Sequence, residues 1–236
     1  MVTVERTTDL DSLVDAASQR FVDVVENAQA EGRDARVVLT GGTAGIRVLE
    51  ALRKNPGGID WQRIHVFFGD ERNVPVSHAD SNEGQARAAL LDHVGIPADH
   101  IHGYRLGELD MESSVEFYTG ELEKFAPEGF DLHLLGMGGE GHINTLFPGT
   151  AAVNETEKLV VAEYDSPKPP AERVTLTLPA VARAERVWLL VSGAEKAEAA
   201  GQIVRRADPN DWPAAGAQGR LETVLFVTED AATEIA

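Results

Sequence analysis

The 236-residue chain contains no cysteine. That absence excludes disulfides, thiolate nucleophiles, cysteine zinc sites and iron–sulfur clusters together. Basic residues are scarce too: 21 Lys and Arg stand against 39 Asp and Glu, a formal net charge of −18. A broad basic footprint for nucleic acid is therefore missing, and an anionic ligand would have to be held by a few local cations and backbone N–H groups. No apolar run approaches the roughly 18 to 20 residues that span a bilayer, and the first thirty residues carry acids throughout rather than a basic start and an apolar centre. The expectation is a cytoplasmic protein that binds neither membrane nor nucleic acid. Neither an internal repeat nor a low-complexity segment interrupts the chain. With no linker in sight, 25.4 kDa suits one large domain over residues 1–236.

What the chain does contain is alternation. Leu10, Leu13, Val14, Ala17, Phe21, Val24, Val25 and Ala28 recur at three and four and predict a helix. Short apolar runs follow: RVVLT (36–40), IHVFF (64–68), FDLHLL (130–135), KLVVA (158–162), RVTLTL (173–178), RVWLLV (186–191) and TVLFV (223–227). Most are nearly continuous, as in strands covered on both faces, whereas RVTLTL alternates with Thr and predicts one less buried face. Helical patterns such as IRVLEALRK and SSVEFYTGELEKF lie between many of them. The pattern predicts a mainly parallel sheet with helices on both sides and ligands at the carboxyl ends of the strands. ADPNDWPAAGAQGR (207–220) reads as a long loop.

Three turns follow predicted strands on that edge. TGGTAG (40–45) lets the backbone approach a ligand at Gly41, Gly42 and Thr43 and aims a helix N-terminus at it, a geometry suited to phosphate. FFGDERNVP (67–75) ends a buried strand in Asp70, Glu71 and Arg72. ADSNEG (79–84) follows, where Asp80 or Ser81 caps a helix and Asn82 is placed to bond a sugar hydroxyl. The third turn, GMGGEGH, carries the dinucleotide spacing Gly136-x-Gly138-x-x-Gly141. Such a fingerprint needs a long helix and a later acid at the end of a second strand. Phe147-Pro148-Gly149 breaks the helix instead, which argues against a nicotinamide oxidoreductase. A histidine with a pKa of about 6.5, displayed on glycines with Glu140 beside it, suits a general base at His142.

The remaining histidines carry less. His100 and His102 lie in a polar stretch with no third ligand and read as a solvated pair; His65 and His133 fall inside strands and read as core or sheet-face residues. Lys168 and Arg173 in SPKPPAERVTL, and Lys196 in SGAEKAEA, complete the cations of interest, Arg offering a planar fork and Lys a point charge.

Taken in order, TGGT, GDER, DSN, LLGMGGEGHINTLFPGT, KPPAERVTLTLPAV and WLLVSGAEKAEA resemble the 6-phosphogluconolactonase family over roughly residues 10 to 230. The resemblance implies a three-layer α/β/α, Rossmann-like fold with a mainly parallel sheet, and hydrolysis of 6-phospho-D-glucono-1,5-lactone, an activated ester, without metal or cofactor. It makes His142 the base, with Glu140, Arg72 and Asp70 in its company. Gly41, Gly42, Thr43, Arg72, Ser81, Asn82, Gly138, Gly139, Lys168, Arg173 and Lys196 become candidates for phosphate and sugar contacts. The family commonly has Asp where this chain has Glu140. Related hexosamine-phosphate isomerase–deaminases share the glycine turn but continue as AFNEPG, with an acid that NTLFPGT lacks; a non-catalytic sugar-phosphate sensor is the other alternative. A monomer or small homo-oligomer is expected.

Overall fold

The computed structural model describes residues 1–235; Ala236, the last residue of the expected 1–236 span, lies outside them. Nine strands and six α-helices follow in order: β1 (Val2–Thr7), α1 (Leu10–Ala30), β2 (Ala35–Leu39), α2 (Gly42–Lys54), β3 (Ile64–Phe68), β4 (Asp70–Arg72), α3 (Asn82–Ala89), α4 (Met111–Phe125), β5 (Leu132–Gly136), β6 (Val160–Glu163), β7 (Arg173–Leu176), α5 (Leu178–Val181), β8 (Arg186–Val191), α6 (Ala197–Arg205) and β9 (Glu222–Thr228). Their starts follow capping chemistry. Asp9 accepts from Ser12 N and Ser12 Oγ accepts from Asp9 N, a reciprocal box that begins α1. Asp110 caps α4, and Ser81 caps α3.

Six strands form one parallel sheet in the order β1-β9-β8-β5-β2-β3. Helices flank it, and the strand interiors show the cover on both faces: Val187, Trp188 and Leu189 in β8 and Val224, Leu225 and Phe226 in β9 are all solvent-inaccessible. Each such side chain contributes roughly 1.5–3 kcal/mol by leaving water. The α/β/α reading of the sequence holds. From β2 the chain moves outward to β3, whereas β5, β8 and β9 build in the opposite direction, so the order reverses between β2 and β5. A crevice opens at the carboxyl ends on either side of such a reversal.

Three features depart from the sequence reading. β1, a mostly polar strand with Thr3 and Arg6 exposed, adds to the β9 edge, a pairing that no apolar run announces. KLVVA and RVTLTL leave the main sheet: β6 and β7 pair antiparallel with each other and with β4, the GDER segment, in a small second sheet. There Arg173 to Leu176 are all buried, because both faces of β7 pack into the protein; alternation with Thr marks hydroxyls that are hydrogen-bonded inside rather than exposed. His102 and His100 are likewise no solvated pair. His102 is buried, bonded to Glu121 Oε2 at 2.6 Å and to His65 at 2.9 Å, and His100 stacks on His65 with ring centroids 4.0 Å apart. Burial keeps His65 neutral down to about 4 and His133 to about 3. The 207–220 segment is a loop containing one short 3-10 turn, Pro213–Gly216.

Candidate active site

The reversal between β2 and β5 places the TGG turn against the GMGGEGH turn. Thr40, at the end of β2, accepts a hydrogen bond on its hydroxyl from Gly136 N at the end of β5, at 3.0 Å. Beyond Thr40, Gly42 takes φ +77°, and α2 begins behind Gly41 with no side-chain cap. Its first N–H groups are therefore left for solvent or an anion. Around this junction lies a cleft with about 490 Å³ of free space open to solvent, edged by Gly41, Gly42, Arg72, Asp70, His142 and Asn144 among others.

The His142 turn is built by glycine. Gly138 N donates to His142 O at 3.0 Å, Gly141 N donates to Gly138 O at 3.0 Å, and Gly141 sits at φ +79°. His142 stacks on Phe147, centroids 4.3 Å apart, so the aromatic of the LF pair that follows the motif serves as the floor of the imidazole. Nδ1 lies 3.2 Å from Glu140 Oε1. Lys168 Nζ bridges to the same carboxylate at 2.7 Å and approaches Nδ1 at 3.5 Å. A lysine only donates and is already engaged by Glu140, so the carboxylate claims the Nδ1 proton and Nε2 carries the lone pair. Burial lowers the pKa of His142 and the Lys168 charge lowers it further, against the pull of Glu140. For Glu140 burial works upward, but the Lys168 hydrogen bond, its own backbone N–H and the charges of His142 and Lys168 prevail and hold it at about 2.

A Cβ on Gly138 would overlap the His142 imidazole and the Glu140 carboxylate. Gly138→Ala should lower lactone turnover by about 10²-fold through displacement of the ring, while the melting temperature stays within a few degrees of wild type. Steady-state kinetics beside thermal unfolding would check this; unchanged turnover would show that the ring tolerates the shift.

The opposite wall comes from β4 and the start of α3. Glu71, 4% exposed, points away from the cleft and accepts from Asn82 N (2.8 Å), Glu83 N (2.9 Å) and Ser81 Oγ (3.0 Å). Burial pushes its carboxyl up, against those donors. This acid and Ser81 together cap α3, and that capping aims Asn82. Asn82 Nδ2 holds Asp70 Oδ1 at 2.8 Å, and its Oδ1 accepts from Arg72. Asp70 also accepts from Thr145 Oγ1 at 2.6 Å and faces Arg173 NH1 at 3.9 Å. Arg173 is nearly sealed in, with Nε and NH2 donating to the carbonyls of Pro170 and Lys168 at 2.9 Å each. Arg72 keeps its buried Nε unpartnered.

The structure thus assembles Gly41, Gly42, Asp70, Arg72, Asn82, His142 and Arg173 around one cleft, with Glu140 and Lys168 behind the imidazole. Gly138 and Gly139 shape the turn itself. Ser81 is a correction: it is fully buried off the cleft wall, its hydroxyl giving its proton to Glu71 and accepting from Gly84 N, so that it caps α3 rather than meeting a sugar. Thr43, in the first turn of α2, and Lys196, in the 3-10 turn Ala194–Lys196, are not on the cleft wall. The sequence reading passed over Asn144, which edges the cleft in the left-handed region at φ +49°; an Asn two residues after a glycine-borne His was the available signal. Among the described residues no three His, Cys, Asp or Glu side chains are placed to share a metal ion.

Fold and cleft together define a Rossmann-like α/β/α protein with a helix N-terminus and an acid-oriented histidine meeting at the switch point of the sheet. The family model described as glucosamine-6-phosphate isomerases/6-phosphogluconolactonase matches residues 8–226, and the chain belongs to that family. It is 44% identical over 241 residues to a 6-phosphogluconolactonase of Mycobacterium leprae, covering 98% of each chain. A crystal structure of a 6-phosphogluconolactonase from Thermotoga maritima superposes with a TM-score of 0.88 at 30% identity, covering 97% of this chain and 100% of that one. A monomeric glucosamine-6-phosphate deaminase superposes with a TM-score of 0.84 at 19% identity, covering 99% and 100%, which speaks for the shared fold alone.

Proposed function

We propose that the chain hydrolyses 6-phospho-D-glucono-1,5-lactone to 6-phosphogluconate in the oxidative pentose phosphate pathway. The observation that carries the reading is His142, held by Glu140 on one side of a cleft whose other side is the uncapped start of α2 and Arg72. The cleft is open to solvent and lined by polar groups, Asp70, Arg72, Asn82 and Asn144 among them, as binding of a phosphorylated sugar requires. The names of the lactonase relatives give the same reaction, and the absence of an acid in NTLFPGT separates this chain from the deaminases.

His142 Nε2 takes a proton from water as the water oxygen bonds to the lactone C1. The carbonyl oxygen becomes a tetrahedral oxyanion, which collapses with rupture of the C1–ring oxygen bond. The imidazolium returns its proton to that ring oxygen, and the new carboxylic acid ionises. No covalent enzyme intermediate is required, since a lactone is an activated ester. The TGG turn and Arg72 hold the phosphate in this reading, Lys168 and Glu140 tune the base, and one cytoplasmic domain over 1–236 carries the whole site.

The test is turnover of freshly generated 6-phosphogluconolactone, corrected for spontaneous opening, beside the unphosphorylated lactone and beside glucosamine 6-phosphate with ammonia detection. Fast, EDTA-insensitive hydrolysis of the phosphorylated lactone alone is expected. Ammonia release would transfer the chain to the deaminase branch, and no reaction in either assay would leave a sugar-phosphate sensor.

A pH profile gives an independent check. His142 must be neutral to act, and its pKa lies below the usual 6.5. The acid limb of kcat/KM should therefore fall below that value. Removing the Lys168 charge relieves one of the two influences that disfavour the imidazolium, so Lys168→Met should move the acid limb to higher pH. A limb that stayed in place or moved down would contradict this account of the base.

A further inference from the structure

Asn144 has no assigned task in the reaction as described, yet its position is unusual in three respects. It lies two residues beyond His142 on the same turn, and its Cα is thus within about 7 Å of the base. Its backbone is left-handed at φ +49°, a region that selects Asn or Gly over other residues. It is only 9% exposed, edges the cleft, and its Nδ2 has no hydrogen-bond partner in the protein. Buried donors in native proteins are nearly always paired, so a buried, unpaired one on a side chain that edges the cleft points to a partner that arrives with the ligand.

The surroundings give the carboxamide room to reach that partner. Oδ1 rests against the Cα of Gly69, where any Cβ would overlap it. The Cβ–Cγ torsion of asparagine is broad and two-fold, so rotation about it turns either end of the amide toward the cleft. Asp70 is already engaged by Thr145 and Asn82, and Arg173 by main-chain carbonyls, so neither is available beside the base. Gly138 N is committed to His142 O.

We propose that Asn144 is a catalytic residue of the lactonase reaction, its side-chain NH2 donating to the lactone carbonyl oxygen and holding the oxyanion that forms when His142-activated water attacks C1. The inference rests on the lactonase reading above. Geometry favours this atom over a distal hydroxyl. The attacking water sits about 3 Å from Nε2 and C1 follows directly after it, so the oxygen that gains charge develops within reach of a side chain on the same turn.

Three proteins test it: wild type, Asn144→Gly, which keeps the left-handed backbone and removes the amide, and Asn144→Asp, which keeps the shape and replaces the donor by an acceptor. Each is assayed for kcat and KM with the phosphorylated lactone, for affinity to 6-phosphogluconate by calorimetry, and for melting temperature. For Asn144→Gly, kcat should fall about 10²–10³-fold, with KM and product affinity within about threefold of wild type. Asn144→Asp should lose at least as much and should provide the answer if the glycine variant does not fold. Retained kcat would overturn the proposal: with a raised KM the contact is a ground-state one to a hydroxyl, and with unchanged KM there is none. Failure of the wild type itself to open the lactone would overturn the function and this role with it. A normal wild type beside an unaffected Asn144→Gly would overturn this role alone.

Discussion

His142→Ala is expected to lower kcat for phosphorylated lactone by about 10²–10⁴-fold, the usual contribution of a positioned general base, while 6-phosphogluconate still binds with near-wild-type affinity. The separation follows from the site. His142 is stacked on Phe147 and bonded through Nδ1 to Glu140, and in the proposed reading it works at the reacting end, whereas phosphate falls to the start of α2 and Arg72. Removing the imidazole opens a void beside Phe147 but disturbs no backbone bond, because the turn is closed by Gly138 N to the main-chain oxygen of residue 142. Single-turnover rates and calorimetry on the same preparation would check both halves. Turnover within a few-fold of wild type would remove His142 from the role of base.

Arg72→Ala is the second large effect. Of the two arginines on the cleft, Arg173 has two of its three nitrogens committed to main-chain carbonyls and its third facing Asp70. Burial even pulls the Arg173 pKa down, although Asp70 opposes this. Arg72 has one nitrogen steered by Asn82 and a buried Nε with no partner. Its remaining donors are therefore those that a phosphate can engage as a fork. Hydrogen bonds to charged groups are worth about 1.5–3 kcal/mol each, so kcat/KM for the phosphorylated lactone should fall roughly 10- to 100-fold. The unphosphorylated lactone, which presents no phosphate to this fork, should change little. A parallel loss on both lactones would place Arg72 at the reacting end rather than at the phosphate.

Those two predictions share a dependence on the frame behind the cleft. Glu71 is the informative case. In GDER it reads as one half of an acid pair beside Arg72, yet in the fold it turns inward and becomes part of the cap of α3. Sequence shows which residues are adjacent along the chain, but on a short strand successive side chains point to opposite sides. Asp70 and Arg72 therefore share one face and Glu71 takes the other. Only the pairing of β4 with β7 decides which face meets the cleft. Ser81 turns inward as the N-cap of α3, bonded to Glu71. The turn after the histidine offers a second case: the apolar pair Leu146-Phe147 distinguishes this chain from the deaminases in sequence, but the stacking of Phe147 under the imidazole appears only in space.

Features under local control could be read directly from the residues. Continuous apolar runs separated by helical periodicity leave little but a covered parallel sheet, a Pro–Gly pair forbids a long helix after GMGGEG, and glycines at a strand end display whatever residue follows them. His142, the TGG turn and the α/β/α class were legible for that reason. Tertiary structure alone decided what depends on segments far apart in the chain. It brought Lys168 onto Glu140 from 28 positions away, drew β6 and β7 out of the main sheet to pair with β4, buried His102 against Glu121, and left Asn144 on the cleft with an unused donor. Each of these contacts is weak and non-local, with no repeating signature along the chain; their outcome is set by how already formed elements pack together, not by the residues within any one of them.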